Sequence, residues 1–393
     1  MGERDVRNVE VRGSIPLGST NSPGNFLFLG LHERFMCLQP KNRILLLVSV
    51  ILGALFLEGA LRLTLDRSDL YRGLRAYPDL NRRYYESFFL KNTLRPSAKD
   101  GPFDAFLGWD IGPGNRVRGK RVYELKTPDG FRRVVAIGDS FTYGGDVKND
   151  ESYPAFLEKS FPNIEVLNMG VPGYGIGQAY LKYQLFGRRY KPDLVILGIH
   201  PGDYERTSLS FFSYSKPRIK RDKKGAFKIF NQPVPSPIDE LRRISREADG
   251  QSFAWTMLKN SFRVLKTKLF GYGNYLSETN DVIRHILTTL KRQTQSDGGR
   301  LLIVQLPLGD RFIMKKPWAA IQDSELKKIY ADAKVRFLDV RKELLADYGG
   351  EEIVKRFYVR DGNGTIRHFN PAGNKKVAGL ISRITWPFNT KKH

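Results

Sequence analysis

The chain has 393 residues, 41% hydrophobic and 12% aromatic, enough for a sizeable core and outside the range of a disordered composition. Lys and Arg outnumber Asp and Glu by 65 to 41, for a formal charge of +24 and a pI of 9.9, so an anionic neighbour is expected: phospholipid headgroups, an acidic polysaccharide or nucleic acid. No recognition-helix pattern or aromatic RNA-binding strand supports nucleic acid. The single cysteine, Cys37, excludes intrachain disulfides and multi-cysteine metal sites and leaves the redox compartment open.

Residues 1–35 are polar and aperiodic and read as a disordered tail. Met36 begins Met-Cys-Leu-Gln-Pro-Lys-Asn-Arg, which has the form of a natural start, so the preceding tail is read as a start-site artefact; the tail region as a whole is taken as 1–43. Ile44–Leu65 follows, free of charge as far as Leu57, with Glu58 and Arg62 placed four apart to pair on one helix face. About 22 residues rising 1.5 Å each reach roughly 33 Å, the thickness of a bilayer core. A single transmembrane anchor is expected over 44–65, with a cleaved signal peptide and a buried soluble helix as rivals. Arg34, Lys41 and Arg43 before the run balance Arg67, Arg72 and Arg75 after it, so flanking charge does not set the orientation.

Residues 66–131 form a connector rich in Tyr, Arg, Gly and Pro, ordered at Leu107-Gly108-Trp109-Asp110 and at the turn Pro128-Asp129-Gly130. From Arg132 the pattern alternates. Strands are expected at Val134–Ile137, Glu165–Asn168, Leu194–Leu197, Leu301–Gln305 and Val335–Asp339, and amphipathic helices at Tyr153–Phe161, Gln178–Tyr190, Val282–Thr294 and Ser324–Lys334. That alternation predicts an α/β fold over 132–386, a flavodoxin-like three-layer sandwich around a parallel sheet of order 2-1-3-4-5. The third crossover carries an insertion over 204–280. It contains the basic run Lys216, Arg218, Lys220, Arg221, Lys223 and Lys224, which is either a solvated loop or a contact for anionic headgroups or an acidic polysaccharide.

The chemistry centres on Val134–Gly145, where a buried-strand pattern runs into Gly138-Asp139-Ser140. Open α/β sheets bind ligands at the carboxyl ends of their strands, and strand 1 of this order lies at the topological switch point. Ser140 is therefore placed either as a nucleophile or as a cap of the following turn. A nucleophilic serine needs a base, a group to orient that base, and donors for the oxyanion. Of five histidines, His32 lies in the tail, His393 is terminal and His285 is interior to a helix, leaving His200 and His368. His368 precedes Asn370-Pro371, a helix cap and first turn for Ala372–Ile384, and is the expected base on a loop entering that helix; His200 ends strand 3. Asp361, in Arg360-Asp361-Gly362, is the expected orienter, or else an ordinary Asp-Gly turn, with Asp339 and Asp203 as alternatives. Backbone N–H groups near Gly170 and Gly173 are the expected oxyanion donors. The glycine cluster lacks dinucleotide-binding spacing and no P-loop is present, so neither a cofactor nor a metal is expected.

Together these residues resemble the SGNH/GDSL hydrolase family over Val134 to Leu380, outside the insertion. Gly138-Asp139-Ser140 is similar to the family's first block. Asn168, Gly170 and Gly173 resemble the second, Pro192–Gly198 through Gly202-Asp203 the third, and His368, Asn370 and Gly373 the last. The resemblance implies a serine esterase with Ser140 as nucleophile and its amide, with that of Gly173, as oxyanion donor. Two positions depart from the pattern: Gly202 stands where the family carries an asparagine donor, and Thr365 where it carries the aspartate three residues before its histidine. An anchor ahead of such a domain resembles bacterial envelope proteins that modify polysaccharides, which implies a single-pass inner-membrane protein with an extracytoplasmic catalytic domain. The expected activity is an esterase or O-acyltransferase acting on acyl groups, O-acetyl foremost, of a carbohydrate. The alternatives are a catalytically weakened polysaccharide-binding or assembly module, and a lysophospholipase-like lipid esterase.

Overall fold

A computed structural model describes residues 39–65, 103–111, 116–119, 122–212, 215–236, 239, 272–314 and 317–385. The chain divides into two units, Met1–Asp66 and Arg67–His393. The tail over 1–35, and with it the proposed start at Met36, lies outside the described residues, as does 240–271 of the expected insertion.

In the first unit, helix α1 spans Pro40–Leu65, four residues earlier than the apolar run because Pro40 suits a first helical turn. Its 18-residue window Pro40–Leu57 has a mean hydropathy of 1.7, and none of it is buried. By length and composition it is able to cross a membrane.

The second unit is built on five parallel strands. These are β1 (Arg132–Ile137), β2 (Ile164–Asn168), β3 (Leu194–Ile199), β4 (Arg300–Gln305) and β5 (Arg336–Asp339), in the order β2-β1-β3-β4-β5. This is the expected 2-1-3-4-5 sheet. Successive side chains of a strand point to opposite faces, so β1 divides its residues between two cores. Val135 and Ile137 join Leu197, Ile283, Ile286 and Leu290 on one face, under α4 (Ile176–Lys182), α6 (Tyr272–Ser296) and α7 (Pro317–Asp332). Val134 and Ala136 join Tyr153, Leu157, Val377 and Ile381 on the other, under α3 (Tyr153–Lys159) and α10 (Pro371–Thr385). With both faces covered, the strands read as continuous apolar runs, which is why they were legible. The helix expected over Gln178–Tyr190 breaks into α4, a π-helical turn Tyr183–Gly187 and a 3₁₀ turn Arg188–Tyr190.

Two stretches pack more tightly than their composition suggests. Part of the expected connector forms a hairpin, Phe103–Asp104 with Gly108–Trp109; Trp109 is buried and donates from Nε1 to Pro172 O at 2.9 Å. The basic run is not uniformly solvated either. A second hairpin pairs Arg218–Arg221 with Phe227–Phe230, leaving Arg221, Lys223 and Lys224 exposed. Arg218 pairs with Glu278 at 3.4 Å and Arg221 with Asp281 at 3.6 Å. Lys216 contradicts the expectation of an anion contact: it is 1% exposed, with Nζ donating to Arg206 O at 2.5 Å, because the strand-like segment entering the hairpin turns it inward.

Burial, reinforced by the Arg206 and Arg218 charges, pushes the Lys216 ammonium from 10.5 down to about 7. Between those values the unfolded chain binds more protons than the folded one, so stability from this group rises with pH across that window. The melting temperature of wild-type protein is expected to climb from pH 7 to pH 9 at fixed ionic strength, and Lys216→Met to flatten part of the climb. An identical pH slope in the variant would contradict the buried charge.

Candidate active site

The Ser140 turn is set by what leaves β1. Gly138 has a φ of 152°, and a Cβ there would stand 2.3 Å from Thr142 Oγ1 and 2.7 Å from Gly198 O, so only glycine lets the chain pass. Asp139 then caps the short helix α2 (Ser140–Tyr143), with Oδ1 accepting from Phe141 N at 2.9 Å. Gly144 closes α2 in the left-handed conformation, φ 83°, its amide returning to Ser140 O. Asn168, at the end of β2, donates from Nδ2 to Thr142 O at 3.0 Å, tying α2 to the neighbouring strand.

His368 arrives from the far end of the domain. It sits on a strand, not the expected loop: Ile366–Phe369 pairs with Tyr358–Arg360 in a terminal hairpin just before α10. Asn370 caps α10 as expected, accepting from Gly373 N at 2.9 Å. The structure brings His368 Nε2 within 2.8 Å of Ser140 Oγ. A Cβ on Gly145 would lie 3.2 Å from His368 Cε1, so the glycine leaves room for the imidazole.

The carboxylate at the other ring nitrogen is Asp146, whose Oδ2 is 2.8 Å from His368 Nδ1 and also accepts from His368 N at 3.2 Å. Arg367 grips it from outside, with Nη2 3.1 Å from Oδ1. Burial alone would push the Asp146 carboxyl up; the hydrogen bond and charge of His368 and the Arg367 guanidinium outweigh it and hold the group below its ordinary value. Asp146 is thus an anion at neutral pH, facing the nitrogen that becomes part of an imidazolium when the ring takes a proton.

Asp361, the expected orienter, is not at this site. It closes the turn of the terminal hairpin, with Oδ1 accepting from Asn363 N and Thr365 N at 3.0 Å each, the Asp-Gly turn that was its alternative. Asp339 caps helix α8 (Val340–Asp347) and pairs with Lys327 at 2.6 Å. Asp203 and His200 belong to a separate cluster around Asp139. His200 Nε2 is 2.9 Å from Asp139 Oδ2 and 3.4 Å from Asp203 Oδ1, and Arg206 Nη1 reaches the same two oxygens at 3.2 and 3.1 Å. Burial and the Asp139 charge push Asp203 up to about 7. Burial also opposes charge on His200, and the two carboxylates outweigh it and draw its pKa upward. The Gly202 amide nonetheless donates to Nδ1 at 2.9 Å, which fixes the neutral tautomer with Nε2–H toward Asp139. The ligand atoms of Asp139, His200 and Asp203 lie within 4.8 Å of one another, a spacing compatible with a metal. The Arg206 guanidinium, however, already supplies the cation and both His200 nitrogens are engaged, so these residues do not fit one.

The expected oxyanion glycines divide. The Gly170 amide donates to Asn168 Oδ1 at 3.1 Å, and a Cβ there would strike Tyr143 N at 2.4 Å, so Gly170 packs beneath α2 and is a structural residue. Gly173 takes a left-handed φ of 80° beside Trp109 and Phe212. Neither the Gly173 amide nor that of Ser140, at the first position of α2, meets an acceptor among the described residues.

No protein-family model matches this chain, and no curated protein does. Among solved structures it is similar to a member of the lipolytic protein G-D-S-L family from Veillonella parvula DSM 2008, at 11% identity over 65% of this chain and 99% of that one, TM-score 0.38. It is also similar to the lipase/acylhydrolase from Enterococcus faecalis, at 15% identity over 65% and 95% of the two chains, TM-score 0.36. An acetyl-xylooligosaccharide esterase from Geobacillus matches at 14% identity over 67% of this chain and 97% of that one, TM-score 0.37.

The Nδ1 proton of His368 is expected as a far-downfield imidazole resonance in proton NMR spectra. It should be lost in Asp146→Asn and retained in Asp361→Asn. The reverse pattern would restore Asp361 as the orienting group.

Proposed function

We propose that this chain is an SGNH-type serine esterase, or the equivalent O-acyltransferase, with Ser140 as nucleophile, His368 as general base and Asp146 as the group that orients it. The observation that carries this reading is the unbroken line of contacts Asp146–His368–Ser140, with 2.8 Å at each step. Ser140 Oγ attacks the acyl carbon while His368 Nε2 takes its proton, and the carbonyl electron pair moves onto oxygen beside the Ser140 and Gly173 amides. Collapse of that intermediate breaks the ester C–O bond, and the leaving alkoxide takes the proton from His368. Water, or a sugar hydroxyl in the transferase, then attacks the acyl-enzyme by the same route, losing its proton to His368 and returning Ser140.

The substrate class we propose is O-acyl carbohydrate, with acetyl as the acyl group; this rests on the family resemblance. The apolar helix α1 favours a second reading, a lipid ester, since such a helix would hold the domain at a membrane surface. On either reading α1 serves as a single-pass anchor with the 132–386 domain outside the cytoplasm. The exposed cations Arg221, Lys223 and Lys224 then supply a contact for anionic headgroups or an acidic polysaccharide at about 1 kcal/mol each, less wherever they are already paired.

A fluorophosphonate probe is expected to label wild-type protein and not Ser140→Ala. On p-nitrophenyl acetate, Asp146→Asn should lower kcat by up to about 10⁴, the cost of misorienting a catalytic imidazole, while Asp361→Asn leaves it unchanged. A folded wild-type domain that takes no label, yet loses polysaccharide retention when Arg221, Lys223 and Lys224 are neutralised, would replace the esterase with a binding module.

A further inference from the structure

Gly202 stands where the resemblance places a side-chain oxyanion donor, and the fold explains the gap. A Cβ at Gly202 would lie 2.5 Å from His200 Cε1, so the ring that supports Asp139 excludes any side chain there. One turn further along helix α5 (Pro201–Thr207), four residues on and so on the same face, comes Arg206. Its Nη1 reaches Asp139 Oδ2 at 3.2 Å, Asp203 Oδ1 at 3.1 Å and Tyr174 O at 3.3 Å, and its guanidinium carbon lies 4.8 Å from the centre of the Phe212 ring. Asp139 adjoins Ser140 and Tyr174 adjoins Gly173. The guanidinium therefore bridges the two backbone stretches whose amides lack acceptors. Its own Nε and Nη2 hydrogens also meet no acceptor among the described residues, and the side chain keeps 18% of its surface. A group serving only to neutralise Asp139 and Asp203 has no need of that open edge.

We propose that Arg206 is the side-chain oxyanion donor of this site, taking the place of the absent asparagine; the inference rests on the esterase reading above. As Ser140 Oγ bonds to the acyl carbon, negative charge collects on the former carbonyl oxygen. Arg206 meets it with a hydrogen bond and a fixed positive charge, keeping its own protons, while His368 alone carries the proton that moves. A guanidinium stays protonated across the working range, and a charge-assisted hydrogen bond is roughly twice as strong as a neutral one. Asp139 and Asp203 hold the group in place before substrate arrives, which is what a preorganised donor requires. Lysine lacks the geometry: its single ammonium cannot bridge both carboxylates and still present a second nitrogen.

The test uses the full chain in detergent with Arg206→Gln and Arg206→Lys. Three quantities are read: kcat and KM on p-nitrophenyl acetate, the inhibition constant of an alkylboronic acid that forms a tetrahedral adduct on Ser140, and recovery of rate with added guanidinium ion at low millimolar concentration. For Arg206→Gln we expect kcat to fall about 10²–10³-fold, the usual cost of one oxyanion donor. KM should stay nearly unchanged, boronate affinity should fall in parallel with kcat, and guanidinium should restore part of the rate; Arg206→Lys should stay impaired. The inference is overturned if Arg206→Gln keeps kcat and boronate affinity near wild type. It is also overturned if the loss tracks a lowered melting temperature and guanidinium restores nothing. A wild-type protein that neither turns over ester nor takes boronate would sink the esterase reading itself, a failure visible before any Arg206 variant is made.

Discussion

One imidazole held between a hydroxyl and a carboxylate from the same turn is the constraint on which this site depends. Ser140 and Asp146 lie within seven residues of each other, bracketing α2 and its glycine exit, while His368 comes from 222 positions beyond Asp146. The turn presents both partners, but only docking of the terminal hairpin and α10 delivers the ring. That docking is chiefly apolar. Phe141 meets His368 edge-on at 4.9 Å and Phe369 at 5.5 Å, and Tyr153, Leu157, Val377 and Ile381 close the layer behind them. Each such fully buried side chain is worth about 1.5–3 kcal/mol, against about 1 kcal/mol for a typical hydrogen bond. Packing therefore fixes where the ring lies, and the two hydrogen bonds fix which way it faces. The bond from Tyr153 N to Asn374 Oδ1, 3.0 Å, ties α3 to α10 at the point where the two requirements meet.

Below the serine the problem is electrostatic. Asp139 is buried because it must cap α2 from within, and a buried carboxylate is costly unless paired and hydrogen-bonded. His200 and Arg206 supply the pairing, with Asp203 holding both. Burial alone would raise the Asp139 carboxyl, but His200 and Arg206 outweigh that effect and hold it well below the usual carboxylate range. Asp139 accepts from Phe141 N through Oδ1, while its Oδ2 also accepts from Ser140 Oγ at 3.2 Å. His200, a secondary candidate for the base, is thus absorbed into supporting the Ser140 turn.

What the sequence made legible follows from period and local chemistry. The five strands were apparent because a doubly covered parallel sheet demands unbroken apolar runs, and Asn370-Pro371 marked α10 because caps are local. Ser140 was marked by its place at the carboxyl end of the first strand, and His368 by elimination among five histidines. Asp146 was missed because its role is set by a meeting in space; no spacing along the chain announces it, and Asp361 stood nearer the histidine in sequence. The available cue was Gly144-Gly145, a pair that closes a helix in one conformation and gives an imaginary side chain no room beside a ring. Lys216 misled for the converse reason. A run of cations reads as solvated as a block, whereas the segment entering the hairpin is buried at Ser215, Lys216 and Pro217 in succession, one lysine included.

The placement of Asp146 on the same turn as Ser140 has a mechanical consequence. Hydroxyl and carboxylate are fixed relative to each other by α2 and Gly144, and the imidazole is the arriving part. Any motion of the terminal hairpin then breaks both hydrogen bonds of the ring together, leaving Asp146 and Ser140 in place. Arg118 strengthens the fixed half, since it donates to the carbonyls of Tyr143, Gly144 and Val147 on both sides of Asp146. Arg367 strengthens the junction from the hairpin side by sharing Asp146 with the histidine next to it. The two arginines thus act on opposite sides of the junction, Arg118 through the backbone that flanks Asp146 and Arg367 through the Asp146 carboxylate itself.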